Sequence, residues 1–95
     1  MNKVILSGRL VKDIEVKKNN VGVFTLAVPK TKDEAIFINC ITFEKTTEVV
    51  EKYSGKGKSI TVLGSLDVNK WTDKDGKSRE TYQINVSNVE LPPKN

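Results

Sequence analysis

The longest alternating segment of the chain runs from Ser59 to Trp71 and reads SITVLGSLDVNKW. Apolar and polar positions exchange with a period of two, which indicates a β-strand with one covered face. One face carries Ile60, Val62, Gly64, Leu66 and Val68, and the other carries Thr61, Leu63, Ser65, Asp67, Asn69 and Trp71. The single tryptophan of the protein therefore falls on the polar face. Parity alone leaves two alternatives open: Trp71 is an exposed stacking surface, or a β-bulge near the strand end turns it inward.

Four further segments with the same period predict four more strands. They are Met1–Leu10, Val23–Val28, Ile36–Phe43 and Thr81–Val89. Gly8 lies on the inner face of the first strand and indicates a bend or a close backbone approach. Pro29 ends the second strand because proline has no N–H to donate. The sequence Asp73-Lys74-Asp75-Gly76 predicts a hairpin turn between the last two strands.

One short segment, Thr46–Tyr53, has a helical pattern. Thr46 or Thr47 is suited to cap its N-terminus, and Gly55 is suited to end it. Its apolar stripe consists of Val49, Val50 and Tyr53. We expect this stripe to close one end of a barrel.

The order of these elements predicts the fold class. Five strands with one short helix between the third and the fourth indicate an all-β protein, a five-stranded OB-fold with Greek-key barrel topology. A mixed α+β sheet is disfavoured, because one two-turn helix does not cover an open five-stranded sheet. The 95 residues predict a single domain over 1–91, followed by a C-terminal stub over 92–95.

The third predicted strand carries apolar groups on both faces. Phe37, Asn39, Ile41 and Phe43 lie on one face, and Ile38, Cys40 and Thr42 lie on the other. A barrel wall has only one core side. If Ile38 and Cys40 point inward, the two phenylalanines are exposed with Trp71, and such an aromatic patch normally marks a binding or assembly surface. In the alternative that stays open, the phenylalanines are core and Ile38 packs under a loop.

If the aromatic residues are exposed, the charged and polar residues around them indicate which kind of ligand they would bind. The formal net charge is +4, which suits a polyanionic partner without proving one. The outer set would include the cations Lys3, Arg9, Lys70 and Arg79, the hairpin lysines Lys74 and Lys77, and the polar groups Asn39, Asn69, Thr81, Gln83 and Asn85. Aromatic rings interleaved with cations suit single-stranded nucleic acid, since bases stack on the rings at roughly 1–3 kcal/mol each while cations contact phosphates.

Catalysis finds little support in the sequence. The chain has no histidine and one cysteine, Cys40, and no carboxylate pair is positioned by the pattern. We therefore expect no enzyme, no metal site and no cofactor. A lone cysteine suits a reducing compartment. No segment reaches the roughly 18 apolar residues of a membrane span, and none has the pattern of a signal peptide, so we expect a cytoplasmic protein without a membrane partner.

Several segments together resemble the bacterial and phage single-stranded DNA-binding protein family. These are NKVILSGRL, KDIEV, FTLAV, FINCITFEKTTEVVEKY, KGKSITVLGSL, KWTDKDGKSR and NVSNVEL, in that order over nearly the whole chain. The resemblance implies that Phe37, Phe43 and Trp71 point outward and stack on bases. It also implies sequence-independent coating of single strands in DNA replication, recombination and repair. Arg9, Lys70 and Arg79 would then contact phosphate, and Lys74 and Lys77 would guide the strand.

The chain departs from the family pattern in three places. Asp67 and Asn69 occupy positions where members often carry arginine, which weakens the phosphate contacts of that strand. The loop Lys30–Ala35 is shorter than in many members. The family's acidic tail, which recruits replication partners, is not found after Pro92-Pro93, so binding through such a tail is not carried over.

The resemblance also implies a homo-oligomer, a tetramer or a dimer, that pairs through the first strand. Ile5, on the outer face of that strand, suits burial in such a contact. A second functional hypothesis is a protein-interaction module of the replication machinery, primosomal in type, with weak nucleic-acid binding. Asp67 and Asn69 favour this hypothesis slightly.

Overall fold

A computed structural model describes residues 1–93 of the chain. Its elements are β1 (Val4–Leu10), β2 (Glu15–Lys17), a 3₁₀ turn (Lys18–Asn20), β3 (Val21–Pro29), β4 (Ala35–Phe43), α1 (Glu44–Tyr53), β5 (Ser59–Thr72) and β6 (Ser78–Glu90). The strands form one sheet in the order β1-β5-β6-β4-β3-β2, and β1 also pairs with β3, so the sheet closes into a barrel. This confirms the predicted OB-fold layout. The three-residue β2 is an addition that the sequence pattern did not reveal.

The barrel interior follows the predicted alternation. Its buried apolar residues are Leu10, Phe24, Leu26, Cys40, Val50, Ile60, Val62, Ile84 and Val86. On β4 the inward residues include Cys40 and Thr42, which are fully buried, whereas Phe37 and Phe43 are exposed. The close backbone approach predicted at Gly8 is confirmed, because a Cβ there would collide with the carbonyl of Ala27. The two-sided apolar pattern of β4 is thus resolved with its phenylalanines outside.

The helix begins two residues earlier than the predicted Thr46 and ends at Tyr53, as predicted. It begins at Glu44, its N-cap residue is Phe43, and no side chain caps it. Thr47, expected as a possible cap, is instead fully buried and shares a 2.7 Å hydrogen bond with the Thr42 hydroxyl. The predicted stop at Gly55 is confirmed, since Ser54 is the C-cap, its N–H donates to the Val50 carbonyl, and Gly55 is the next residue. Helix α1 therefore meets the barrel through a polar contact as well as an apolar one.

The predicted apolar stripe of α1 is only partly buried. Val50 is fully buried and Val49 is half-buried, whereas Tyr53 is 52% exposed. Tyr53 was expected to close the barrel end, and this expectation is wrong. The last turn of α1 extends past the rim, so Thr47 and Val50 fill the place assigned to it.

A β-bulge lies on β6 and leaves the parity of β5 unchanged. Val62 is opposite Val89 and Gly64 is opposite Val86, so β6 contains one extra residue at this point. Because of the bulge, both valines of β6 face inward, and β5 continues without interruption to Trp71. The alternative in which a bulge turns the tryptophan inward is therefore wrong.

Beyond the barrel rim, inner parity no longer means burial. Leu66 is 42% exposed, because β5 has passed its last pair with β1, Val4–Gly64. Tyr82 is 53% exposed, because β6 lies beyond its last pair with β4, Asn39–Gln83, and pairs only with β5 in the hairpin. Leu66 has the same parity as the buried Ile60 and Val62, and Tyr82 has the same parity as the buried Ile84 and Val86. At the other end of the chain, Leu91 packs against the core and Pro92 is exposed. The division into 1–91 and a stub over 92–95 stays a prediction, and residues 94 and 95 of that stub lie outside the described residues.

Candidate nucleic-acid interface

Three aromatic side chains stand on the outer surface of the barrel and its hairpin. Phe37 is 66%, Phe43 is 49% and Trp71 is 51% exposed. The two phenylalanines share one face of β4 and lie roughly 20 Å apart along the strand. Stacked bases follow one another at about 3.4 Å. The three rings therefore offer separate stacking positions rather than one continuous stack.

A polar floor lies between these aromatic positions. We use this name for Thr25, Asn39, Gln83, Asn85 and Asp67. The register places Thr25 opposite Asn39, Asn39 opposite Gln83, and Gln83 opposite Asp67, so this row crosses β3, β4, β6 and β5. With strands about 4.8 Å apart, the row is roughly 15 Å wide. It provides hydrogen-bonding groups where bases would lie between the rings.

Hydrogen bonds fix the side chains of the polar floor. Thr25 Oγ1 donates to Asn39 Oδ1 at 3.2 Å. Gln83 Nε2 donates to Asn85 Oδ1 at 3.1 Å, and Asn85 Nδ2 donates to Asp67 Oδ2 at 3.1 Å. A ligand that reaches this surface meets groups that are already oriented, which lowers the entropy lost on binding.

A groove beside the polar floor is lined by two cations that the sequence pattern did not single out, together with the carboxylates of Asp13 and Glu15. Lys12 and Lys17 share with Asn39 and Gln83 a groove of about 450 Å³. This volume lies within the range of about 300–1,000 Å³ that is typical of ligand pockets. Lys17 Nζ also lies 3.9 Å from Glu15 Oε1, but this exposed pair is weak and leaves the ammonium available. In the sequence both lysines fall in turn-rich segments, where charge has no periodicity to interpret.

The cations predicted on β1 lie on two sides of the interface. Arg9 is exposed and is opposite Ala27, which is in turn opposite Phe37. The arginine is therefore two strands, or about 10 Å, from the strand position of that ring. Lys3 is exposed just before β1, next to Asn2, whose side chain makes hydrogen bonds of 2.7 and 2.9 Å with the backbone of Leu66 on β5.

The hairpin cations are arranged around one carboxylate. Asp73 Oδ1 accepts 2.9 Å hydrogen bonds from the N–H groups of Asp75 and Lys77, and Asp73 Oδ2 accepts a 2.8 Å bond from Arg79 Nε. The Arg79 hydrogen bond, followed by that of the Lys77 N–H, lowers the pKa of Asp73. Gly76, with φ +79°, completes the turn. The predicted hairpin turn is thus confirmed.

The structure separates the four hairpin cations. Arg79 is the cross-strand partner of Trp71 and lies on the same face, but its charge is partly compensated by Asp73. Lys70 is opposite Glu80 and lies on the other face of the hairpin, because successive strand residues alternate. Lys74 and Lys77 are exposed at the turn. Arg79 lies directly across from the tryptophan, and Lys70 lines the same shallow pocket as Trp71 and Arg79.

Three further observations concern metal ligands, the thiol and membrane spans in residues 1–93. In this part of the chain no group of three or more His, Cys, Asp or Glu residues is positioned to hold a metal ion. Cys40 is fully buried, and desolvation raises the pKa of its thiol to about 12. It is therefore a core residue and not an accessible nucleophile. Among the described residues no helix is long and apolar enough to cross a membrane.

Comparisons with known proteins agree with this fold. The model of the single-strand binding protein family matches residues 1–92. The "Single-stranded DNA-binding protein" of Clostridium perfringens is 40% identical over 98 residues, covering 96% of this chain and 65% of that protein. The "Single-stranded DNA-binding protein 2" of Staphylococcus aureus is 38% identical over 106 residues, covering 100% of this chain and 75% of that protein.

A solved structure, "Plasmodium falciparum SSB complex with ssDNA", has the same fold. Its TM-score is 0.79 at 21% identity, covering 98% of this chain and 96% of that one. The chain spans about two thirds of the length of the clostridial relative and three quarters of the staphylococcal one. The family match over residues 1–92 and the identities of 40% and 38% show that the chain belongs to the single-strand binding protein family.

Proposed function

We propose that this protein binds single-stranded DNA without requiring a defined sequence, and that it coats strands exposed in replication, recombination and repair. Its role is binding and not catalysis. The observation that carries the proposal is the set of three exposed rings, Phe37, Phe43 and Trp71, around an ordered polar floor. Membership of the single-strand binding protein family supports the same function.

The chemistry of the surface fits a single strand better than a duplex. Exposed rings bind the faces of unpaired bases at roughly 1–3 kcal/mol each, and a duplex hides those faces. Arg9, Lys12 and Lys17 provide positive charge on the β1 and β2 side, and Lys74 and Lys77 provide it at the hairpin. The sugar–phosphate backbone can thus follow the cations while the bases lie over the rings.

The proposal includes a homo-oligomer, a tetramer or a dimer. Ile5 is 59% exposed on the outer face of β1, where it lies opposite Leu63 of β5, so this part of the surface is apolar. Pairing of two copies through β1 would bury it. Light scattering of the purified protein measures the number of subunits, and a monomer at micromolar concentration would contradict this part of the proposal.

We place the protein in the cytoplasm, at the nucleoid or on phage DNA.

A protein-interaction module of the replication machinery remains the second candidate. The observation that favours it is the carboxylate of Asp67 within the polar floor, since this charge repels phosphate. The same aromatic surface would then bind other replication proteins. Filter binding at low salt separates the two candidates, because a protein-interaction module would retain little oligonucleotide.

The fluorescence of Trp71 tests the main proposal, since it is the only tryptophan. Titration with oligo(dT) should quench the emission, and higher salt should weaken the affinity. If Arg9, Lys12, Lys17, Lys74 and Lys77 each contact one phosphate, the slope of log K against log salt is about −3.5. A duplex of equal length is the control. An unchanged spectrum at saturating oligo(dT), with no retention on filters, would refute the proposal.

A further inference from the structure

The polar floor contains one negative charge at its edge. Asp67 lies on the outer face of β5, opposite Gln83 and four residues before Trp71. Four residues of strand span roughly 13 Å, so a base held by the tryptophan has its neighbours near the carboxylate. A carboxylate at this place is unexpected for a surface that contacts a polyanion. We therefore consider contacts between this carboxylate and the bases, and not the phosphates.

The carboxylate determines the orientation of the two amides beside it. An ionised carboxylate only accepts hydrogen bonds, so the Asn85 side chain must turn its NH₂ group toward Asp67. The Asn85 Oδ1 atom is then left to accept from Gln83 Nε2, at 3.1 Å. Gln83 uses one N–H in this bond, which leaves its Oε1 as an acceptor and its second N–H as a donor. At the Asp67 end, the series of three side chains thus offers acceptors only.

Asp67 keeps capacity for a ligand after these contacts. Its Oδ1 accepts from the Val68 N–H at 2.9 Å, and its Oδ2 accepts from Asn85 at 3.1 Å. A carboxylate has about four acceptor sites, so about two remain. The residue is exposed, and these sites are open to the surface over which the bases would lie.

We propose that Asp67, held by Asn85 and Gln83, forms a base subsite that favours bases carrying an exocyclic amine over thymine or uracil. This inference rests on the proposed function and adds a base preference to it. The subsite biases which base lies over the floor and leaves general binding to the rings. Its ligand is the amino edge of a base, which is N4 of cytosine, N6 of adenine, or N1–H with the N2 amine of guanine.

The hydrogen-bonding edges of the pyrimidines explain the preference. Cytosine presents an N4 amine that donates to a carboxylate. Uracil and thymine present a carbonyl oxygen at the same position, so this acceptor faces the acceptors of Asp67. Their N3–H lies between two carbonyl oxygens, and a carboxylate that approaches it meets both. The carboxylate of Asp67 is therefore matched to cytosine and mismatched to uracil and thymine.

The same charge also determines which part of the strand lies over the floor. A phosphate placed near Asp67 would be repelled. In the groove beside Asn39, Lys12 and Lys17 attract a phosphate, and Asp13 and Glu15 offset part of that attraction. The sugar–phosphate backbone is thus directed to the lysine side of the floor. The base edges are directed to the side of the carboxylate, which is the orientation that the subsite requires.

Equilibrium binding of oligo(dC) and oligo(dU) of equal length, measured by fluorescence anisotropy near neutral pH, tests this subsite. The two bases differ at N4/O4 and N3 and share the absence of a methyl group. We expect the ratio of the dC to the dU association constant to fall about fivefold or more in Asp67→Asn, the low end for one well-placed base contact. The substitution keeps the shape of the side chain, and its exposed position preserves the fold.

Asp75→Asn is the matched control, since it removes the same charge from the exposed hairpin turn. It should shift both affinities together and leave their ratio unchanged. An equal ratio of the dC to the dU association constant in the unmodified protein and in Asp67→Asn would overturn the subsite. If both association constants rise equally in Asp67→Asn, the ratio is also unchanged, and the carboxylate then only repels phosphate. Failure of the unmodified protein to bind either oligonucleotide would refute the proposed function itself.

Discussion

Replacing Trp71 with alanine separates binding from folding. The ring is 51% exposed, lies on the hairpin beyond the barrel rim and is absent from the buried core. Surface substitutions of this kind change the free energy of unfolding by about 0.5 kcal/mol or less. Loss of one base-stacking contact costs about 1–3 kcal/mol of binding, which raises the Kd about 5- to 150-fold. We therefore expect a folded variant with a large binding defect.

The assay must not depend on tryptophan emission, because the variant has none. Anisotropy of a labelled oligo(dT) gives the Kd, and far-ultraviolet circular dichroism in guanidinium gives the stability. Tyr53→Ala is the matched control, because Tyr53 is an aromatic of 52% exposure at the end of α1 remote from Phe43. It should change the Kd less than twofold. An unfolded Trp71→Ala variant, or one with unchanged affinity, would refute the reasoning.

Three further predictions concern the hairpin, the thiol and the barrel wall. Because its pKa is lowered, ionised Asp73 stabilises the fold at a pH above its ordinary pKa, and this contribution is lost as the pH falls through its pKa in the folded protein. Carboxyl NMR titration should show the low pKa, and Asp73→Asn should speed amide hydrogen exchange in the turn. The thiol of Cys40, with a pKa of about 12, should react with a thiol reagent at pH 8 only as fast as the protein unfolds, and a fast reaction in the native state would contradict this. The contribution of the buried, protonated thiol to the free energy of unfolding is lost as the pH rises from the ordinary thiol pKa toward 12. Gly8→Ala places a Cβ against the Ala27 carbonyl and should lower the free energy of unfolding by about 1–3 kcal/mol in guanidinium titrations; unchanged stability would contradict the close approach.

The sequence predicted the barrel well because most strands have one covered face. Alternation identified the inner residues wherever a strand forms part of the closed wall. It failed at Leu66 and Tyr82, since a sequence pattern does not show where a long hairpin leaves the barrel. It also failed at Tyr53, because the stripe of a two-turn helix shows which side is apolar and not how far the barrel reaches along it.

The candidate site was predictable in its rings and not in its floor. Trp71 and the phenylalanines are conspicuous because large apolar side chains occupy outer positions. The bond between Asn85 and Asp67 depends on the register of a hairpin, and the pairing of Asn39 with Gln83 depends on two strands more than forty residues apart. Lys12 and Lys17 line the groove beside the polar floor only when β2 pairs with β3. Such contacts require the three-dimensional structure.

The short parallel seam between β4 and β6 links ligand binding to the opening of the barrel. It contains the pairs Asn39–Gln83, Cys40–Ile84 and Ile41–Asn85. Three side chains of the polar floor meet across this seam, so the floor exists only while the seam is closed. A ligand at 100 times its Kd that binds only the closed form adds about 2.7 kcal/mol to the free energy of opening. Binding of DNA should therefore slow hydrogen exchange with solvent most strongly at the backbone amides of this seam.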